Sequence, residues 1–212
     1  DILKLFKNGF STGHGTLREP NDISSYAALA CIAIQSNQND QHGGQSIVNF
    51  DYGLAPGVRK TFKKQYFQAM GDALEIMEGA DPNAVVTLLK ENLENKGIIP
   101  ALDESEDYNQ AQKELLLSQG YSEETIIKAQ QFAREKAVSR TDRATYQAME
   151  ALIHNLNTMH SRAGAQTPFS SINYGMDTSS EGRMVVKNML LVTEKGLGNG
   201  ETPIFPIQIF RV

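Results

Sequence analysis

The sequence predicts a mainly helical chain with a few β-strands, an α/β class held in one domain. Residues 1–163 read as mostly helical and residues 164–212 as strand–helix–strand. Three observations carry this. Apolar residues recur at three- and four-residue steps through most of the first part. Proline and glycine stand where such helices would start and stop. After Gly164 the texture shifts to Thr, Phe, Ile and Tyr, which favour extended backbone.

Taken in order, Asn21 or Asp22 caps a helix whose apolar face is Ile23, Tyr26, Ala27, Ala30, Cys31 and Ile34. It should end near residues 35–39, where the chain turns polar. A second helix carries Phe62, Tyr66, Met70, Ala73, Leu74 and Met77. Asp81 and Pro82 open a third, faced by Val85, Val86, Leu89 and Leu93 and stopped by Gly97. Residues 98–107 form a connector. A short helix with Tyr108, Ala111, Leu115 and Leu116 follows and stops at Gly120. Ser122 caps a long helix running to about Met159, with Ile126, Ala129, Ala133, Ala137, Met149, Leu152 and Leu156 inward and a kink expected at Thr141 and Asp142. Residues 166–174 read as a strand. The run Thr178-Ser179-Ser180-Glu181 is a capping-box pattern that opens a last helix, closed by Gly196. Residues 204–212 form a dense apolar, buried-type strand. Strand, helix and strand in that order are the ingredients of a parallel crossover that wants a further partner. The abrupt apolar end suggests a piece of a longer protein.

The chain has 212 residues, is 40% hydrophobic and 21% charged, and carries a net charge of -5. That is enough length and apolar content for one real core. The acidic balance argues against nucleic acid as a partner, and the densest basic group, Arg59, Lys60, Lys63 and Lys64, reads as a solvated helix face. The lone Cys31 makes no internal disulfide, which fits a reducing cytoplasm; on an apolar stripe it reads as a small core residue. No apolar run reaches the roughly 18–20 residues that span a bilayer, so no membrane partner is expected.

Few motifs suggest chemistry. His154 and His160 lie about 240° apart around a helix, so they share no face, and no metal site is expected. Gly196-Leu197-Gly198-Asn199-Gly200 precedes a strand, whereas a dinucleotide loop follows one, so it reads as a helix stop. Ser11-Thr12-Gly13-His14-Gly15 lacks the lysine of a phosphate-binding loop; it reads as a turn between helices, with backbone N–H groups offered to an anion as the alternative.

Two polar stretches are harder to dismiss. The run Gln35-Ser36-Asn37-Gln38-Asn39-Asp40-Gln41-His42-Gly43-Gly44-Gln45-Ser46 is mostly amide, hydroxyl or imidazole and contains no Lys or Arg. Neutral donors and acceptors beside Gly-Gly suit a site that hydrogen-bonds an uncharged group such as a ribose. In residues 155–175, polar side chains interleave with apolar ones on a strand expected to be buried. Each unpaired polar group there costs about 1–3 kcal/mol, so a ligand or an internal network should satisfy them.

Both stretches, with Ser11 to Gly15, Asn49-Phe50-Asp51-Tyr52, Ala55-Pro56-Gly57-Val58 and residues 196–210, resemble the anaerobic (class III) ribonucleoside-triphosphate reductases over nearly the whole chain. The resemblance implies a slice of the ten-stranded α/β barrel of glycyl-radical enzymes. It implies removal of the ribose 2′-hydroxyl from nucleoside triphosphates, with formate as reductant. It also implies ATP or dNTP effectors, a zinc-binding cysteine cluster, a radical-SAM iron–sulfur activase and a homodimer in the cytoplasm. The family's thiyl cysteine, second active-site cysteine, zinc cysteines and glycyl loop match nothing in these 212 residues, and Cys31 does not fit the thiyl motif. No cofactor and no catalytic residue is therefore assigned to this stretch, which is expected to be inactive by itself. Substrate-orienting roles are assigned to Asn39, His42, Gly43, Gly44, Gln45, Gln166, Ser170 and Asn173. The alternative from another class is a helical binding or scaffold domain whose polar runs are surface turns. A nucleotide hydrolase is disfavoured by the missing phosphate loop and metal cluster.

Overall fold

The structure, a computed structural model, describes residues 2–8, 18–41, 43–160 and 167–212. Its elements run α1 (Ile2–Asn8), α2 (Ile23–Asp40), β1 (Gln45–Ile47), α3 (Phe50–Glu78), α4 (Pro82–Asn92), α5 (Glu106–Ser118), α6 (Glu123–Thr158), β2 (Ser170–Tyr174), α7 (Ser180–Lys195) and β3 (Ile207–Phe210), with a 3-10 turn at Glu94–Lys96. The helices begin where short polar side chains can take the first free amides. Asp22 accepts from Ser25 N at 2.8 Å, Ser105 from Tyr108 N at 3.3 Å and Ser122 from Thr125 N at 3.2 Å. In the capping-box run it is Ser179 that caps α7, accepting from Gly182 N at 3.1 Å.

Several expectations shift. α2 continues to Asp40, so half of the amide-rich run is helical, because Ile34 and Gln38 are both buried and carry the helix onward. β1 was not foreseen, since Gln and Ser are poor strand signals. α3 starts at Phe50 and carries Pro56 inside its second turn, past the free amides of the first, so one i to i−4 bond is missing there. α6 runs as one helix through Thr141 and Asp142. The last strand is shorter than expected and is exposed: Ile207, Ile209 and Phe210 retain 43%, 45% and 61% of their surface.

The chain divides into two compact units, one of Asp1–Lys60 with Asp142–Val212 and one of Thr61–Thr141. The second is all helix. Its core gathers Phe62, Tyr66, Met70 and Leu74 of α3, Val85 and Leu89 of α4, Tyr108 and Leu116 of α5, and Ile126 of α6. Ala129, Ala133 and Ala137, four residues apart and fully buried, give α6 a flat face on which neighbours pack closely. One polar network is satisfied inside it. The Tyr66 hydroxyl donates to Gln112 Oε1 at 2.9 Å, and Gln112 Nε2 donates to the Tyr108 hydroxyl at 3.3 Å.

The first unit holds a three-stranded parallel sheet in the order β1-β2-β3. The parallel β2–α7–β3 crossover matches the reading of the tail. Gln45 pairs with Ser170, Ile47 with Ile172, Ile172 with Gln208, and Tyr174 with Phe210. Since side chains alternate along a strand, these residues share one face. On it Ile47, Ile172 and Tyr174 are buried, and Gln208 bridges the Tyr174 hydroxyl at 2.8 Å and Thr193 of α7 at 2.7 Å. The opposite face carries Ser46, Ser171, Asn173, Ile207 and Ile209, and its isoleucines are uncovered. The same unit buries Leu54 and Val58 of α3, Leu152 and Leu156 of α6 and Val185 and Met189 of α7.

Candidate functional site

The site grows from the junction of α2 and β1. Asn37, on the last full turn of α2, donates from Nδ2 to Gln45 Oε1. Gln45 Nε2 in turn donates to the Gly43 carbonyl at 3.4 Å, and Gln45 N donates to the Phe169 carbonyl at 2.8 Å. The Gln45 side chain, 7% exposed, is thus held from both ends. Gly43 has φ 116°, where glycine pays no Cβ penalty. A Cβ on Gly44 would stand 3.1 Å from the Phe169 ring, so the turn packs closely on that side chain.

Beside this junction is a cavity of about 420 Å³. Its polar wall is Ser36, Asn37, Asp40, Gln45, Ser46 and Asn49. Its apolar wall is Leu5 of α1, Ala33 and Ile34 of α2, and Ile47 and Val48.

The residues proposed from sequence separate clearly. Gln45 lines the cavity. Asn39 is exposed and does not line it. Gly43 and Gly44 form the turn beside it. His42 and Gln166 lie outside the described residues. Ser170 is fully buried on the same sheet face as its register partner Gln45, and its Oγ has no hydrogen-bond partner among the described residues. Asn173 is on the opposite face, with Oδ1 buried and likewise unpartnered. The two polar stretches are therefore neighbours through β1 and β2. The lining residues Ser36, Asn37, Asp40, Ser46 and Asn49 were missed. Their signal was present, since four of them lie in the same amide-rich run, but helix and strand phase decided which would face inward.

Part of the second stretch is structural. At the end of α6, Asn157 Nδ2 donates to the carbonyls of Ile153 at 2.7 Å and Phe205 at 2.6 Å, while Oδ1 accepts from the amides of Ile204 and Phe205, each at 3.0 Å. The loop after β2 has its own anchor. Buried Asp51 accepts from Gly175 N at 2.8 Å and Asp177 N at 3.0 Å. Asp177 then accepts from Ser179 N at 2.9 Å, and its other carboxylate oxygen packs on Gly182, where a Cβ would come within 2.4 Å.

Other candidates fall away on geometry. Cys31 is buried, its thiol donates weakly to the Leu152 carbonyl at 3.9 Å, and burial pushes its pKa up to about 12, so it stays a thiol. Of the basic group on α3, Arg59 faces Glu181 at 3.8 Å, Lys60 faces Glu19 at 2.8 Å and Lys63 pairs with Glu94. Among the described residues no group of three His, Cys, Asp or Glu is placed to hold a metal, and no helix is long and apolar enough to cross a membrane.

Comparison with known proteins adds the last element. A family model described as anaerobic ribonucleoside-triphosphate reductase matches residues 1–212. Among curated proteins, the anaerobic ribonucleoside-triphosphate reductase of Enterobacteria phage T4 is 27% identical over 97% of this chain, and that of Salmonella typhimurium is 25% identical over all of it. The Escherichia coli enzyme is also 25% identical over the full chain. The chain spans 25% of the length of the phage protein and 22% of each bacterial one.

Proposed function

Since the chain belongs to the anaerobic ribonucleoside-triphosphate reductase family, we propose that it serves as one wall of an enzyme that reduces ribonucleoside triphosphates to deoxyribonucleoside triphosphates. The observation that carries this is the family match across all 212 residues. The pairing of Gln45 with Ser170, which joins the two amide- and hydroxyl-rich stretches, supports a role in substrate binding.

In this reading the three-stranded sheet is part of a larger α/β barrel. The half-exposed isoleucines of β3 and the edges of β1 and β3, which pair with no further strand among the described residues, support that, because unpaired edges and bare apolar faces are normally covered. The chain's own residues do positioning work. Gln45, fixed by Asn37 and Gly43, presents amide hydrogen-bonding groups to a sugar without an ordering cost at the moment of binding.

The radical and metal chemistry belongs elsewhere in the full enzyme. The described residues offer no ligand set for zinc, and the one thiol is buried and protonated, so neither group fits this wall. Formate as reductant, a glycyl radical made by an iron–sulfur activase, nucleotide effectors, a homodimeric assembly and a cytoplasmic setting complete the proposal. The 212-residue chain by itself is then inactive.

The test uses the full-length enzyme containing this segment, activated anaerobically. Asn37→Ala and Gln45→Ala should each raise KM for the nucleoside triphosphate while the glycyl-radical signal forms normally. Unchanged KM in both variants would remove the binding role, and CTP reduction by the 212-residue chain alone would remove the division of labour.

A further inference from the structure

We infer that Asp51 is a positioning residue for the reduction. It fixes the backbone of Gly175, Met176 and Asp177, the loop that leaves β2, and so sets where the Met176 side chain meets the nucleotide. This goes beyond the reading of the chain as one wall of the reductase and rests on it.

The loop is gripped from α3. Asp51, in the first turn of that helix, is 1% exposed. Its Oδ2 accepts from Gly175 N at 2.8 Å and from Asp177 N at 3.0 Å, and its Oδ1 accepts from Tyr52 N at 3.0 Å. The Tyr52 hydroxyl donates to the Met176 carbonyl at 3.0 Å. Two adjacent residues of α3 therefore hold three consecutive residues of the loop. Hydrogen bonds to a carboxylate are roughly twice as strong as those between neutral groups, so the hold is firm. The other flank is fixed by β3. Arg211 N donates to the Tyr174 carbonyl at 2.8 Å, and a Cβ on Gly175 would come within 2.5 Å of the Arg211 carbonyl oxygen.

Backbone fixed this fully leaves one side chain outside. Met176 is half-exposed between buried Tyr174 and buried Asp177. The loop stands at the C-terminal end of a parallel strand, the end where α/β enzymes gather the loops that touch substrate. A methionine there offers an unbranched, polarisable apolar surface that can lie against a ring or a sugar. Because its backbone is set before the nucleotide arrives, the contact carries little ordering cost and the geometry favours reaction.

The test uses the full-length enzyme containing this segment. Before activation, hydrogen peroxide should oxidise Met176 to its sulfoxide, read by peptide mass spectrometry, and saturating CTP should slow that oxidation. After anaerobic activation, Asp51→Asn should lower kcat about tenfold and Tyr52→Phe about threefold, with KM changed by less than about twofold and the glycyl-radical signal intact. Both variants should also lose CTP protection of Met176. Asn157→Ala loosens the same sheet at the entry to β3 and serves as the stability control; its kcat should stay within about twofold. An unchanged kcat in Asp51→Asn, or a loss matched by Asn157→Ala, would overturn the positioning role. Should Asp51→Asn not fold, an unchanged kcat in Tyr52→Phe would overturn it instead. Met176 that resists peroxide in the free enzyme, or oxidises equally fast with CTP bound, would overturn the contact and leave the wall standing. Failure of CTP to bind the unaltered enzyme would overturn the inference and the wall together.

Discussion

The side-chain amide of Asn157 brackets the backbone of Phe205, accepting from its N–H at 3.0 Å and donating to its carbonyl at 2.6 Å. The bonds imitate those one strand offers another, so a side chain at the end of α6 sets the chain that enters β3. Replacing Asn157 with Ala leaves those backbone groups unpaired and should lower unfolding stability by about 2–3 kcal/mol. Asn157→Asp keeps the acceptor but turns a carboxylate toward two carbonyls. Its deficit should shrink in denaturant titrations as pH falls through the carboxylate range. An Asp variant as stable as the parent at neutral pH would refute the bracketing role.

Gly182 is required by contact rather than by backbone freedom. In a helix Ala is favoured over Gly by about 1 kcal/mol. A methyl here meets the Asp177 carboxylate at 2.4 Å, so the substitution should still destabilise, by about 2 kcal/mol net. The pair Gly182→Ala with Asp177→Ala should recover part of that loss in a double-mutant cycle. Strict additivity would show that the clash is not the cause.

Cys31 should resist modification. With its pKa pushed up to about 12 by burial, the thiol carries little thiolate at pH 8. Ellman's reagent should react with the folded chain only as fast as the chain opens, and promptly in denaturant. Rapid labelling of the native chain would contradict the burial.

Asp142 sets an acid dependence. Its burial works against the charged form, but hydrogen bonds from Lys187 and Asn188 and the charge of Lys187 outweigh it and hold the carboxyl below its usual range. A depressed folded pKa contributes stability above the unfolded value, and that contribution disappears as pH drops through the folded one. Asp142→Asn should therefore flatten the acid limb of the stability profile while Lys187 remains. An unchanged limb would remove the linkage.

Much of the helical part was legible. The apolar steps of α2, α4, α5, α6 and α7 are long and regular, and Pro82, Gly97, Ser122 and Gly196 mark their ends by local chemistry alone. β1 was not legible, because its three residues are polar except Ile47 and gain their extended form from pairing with β2, a contact 125 positions away in sequence. The candidate site was half legible. Uncharged composition located the run, yet Asn37 faces the cavity and Asn39 faces water, a choice set by how far α2 continues. Asn157 stood in a stretch read as ligand-facing or network-forming with equal weight, and it serves the network.

Parallel strands whose outer margins and one face have no partner among the described residues also govern how the polypeptide behaves in isolation. Ile207 and Ile209 sit together on the last strand, half-exposed on the same face. A purified sample of this length therefore carries a self-complementary seam. Its colloidal behaviour should depend on concentration well before its helices lose any order.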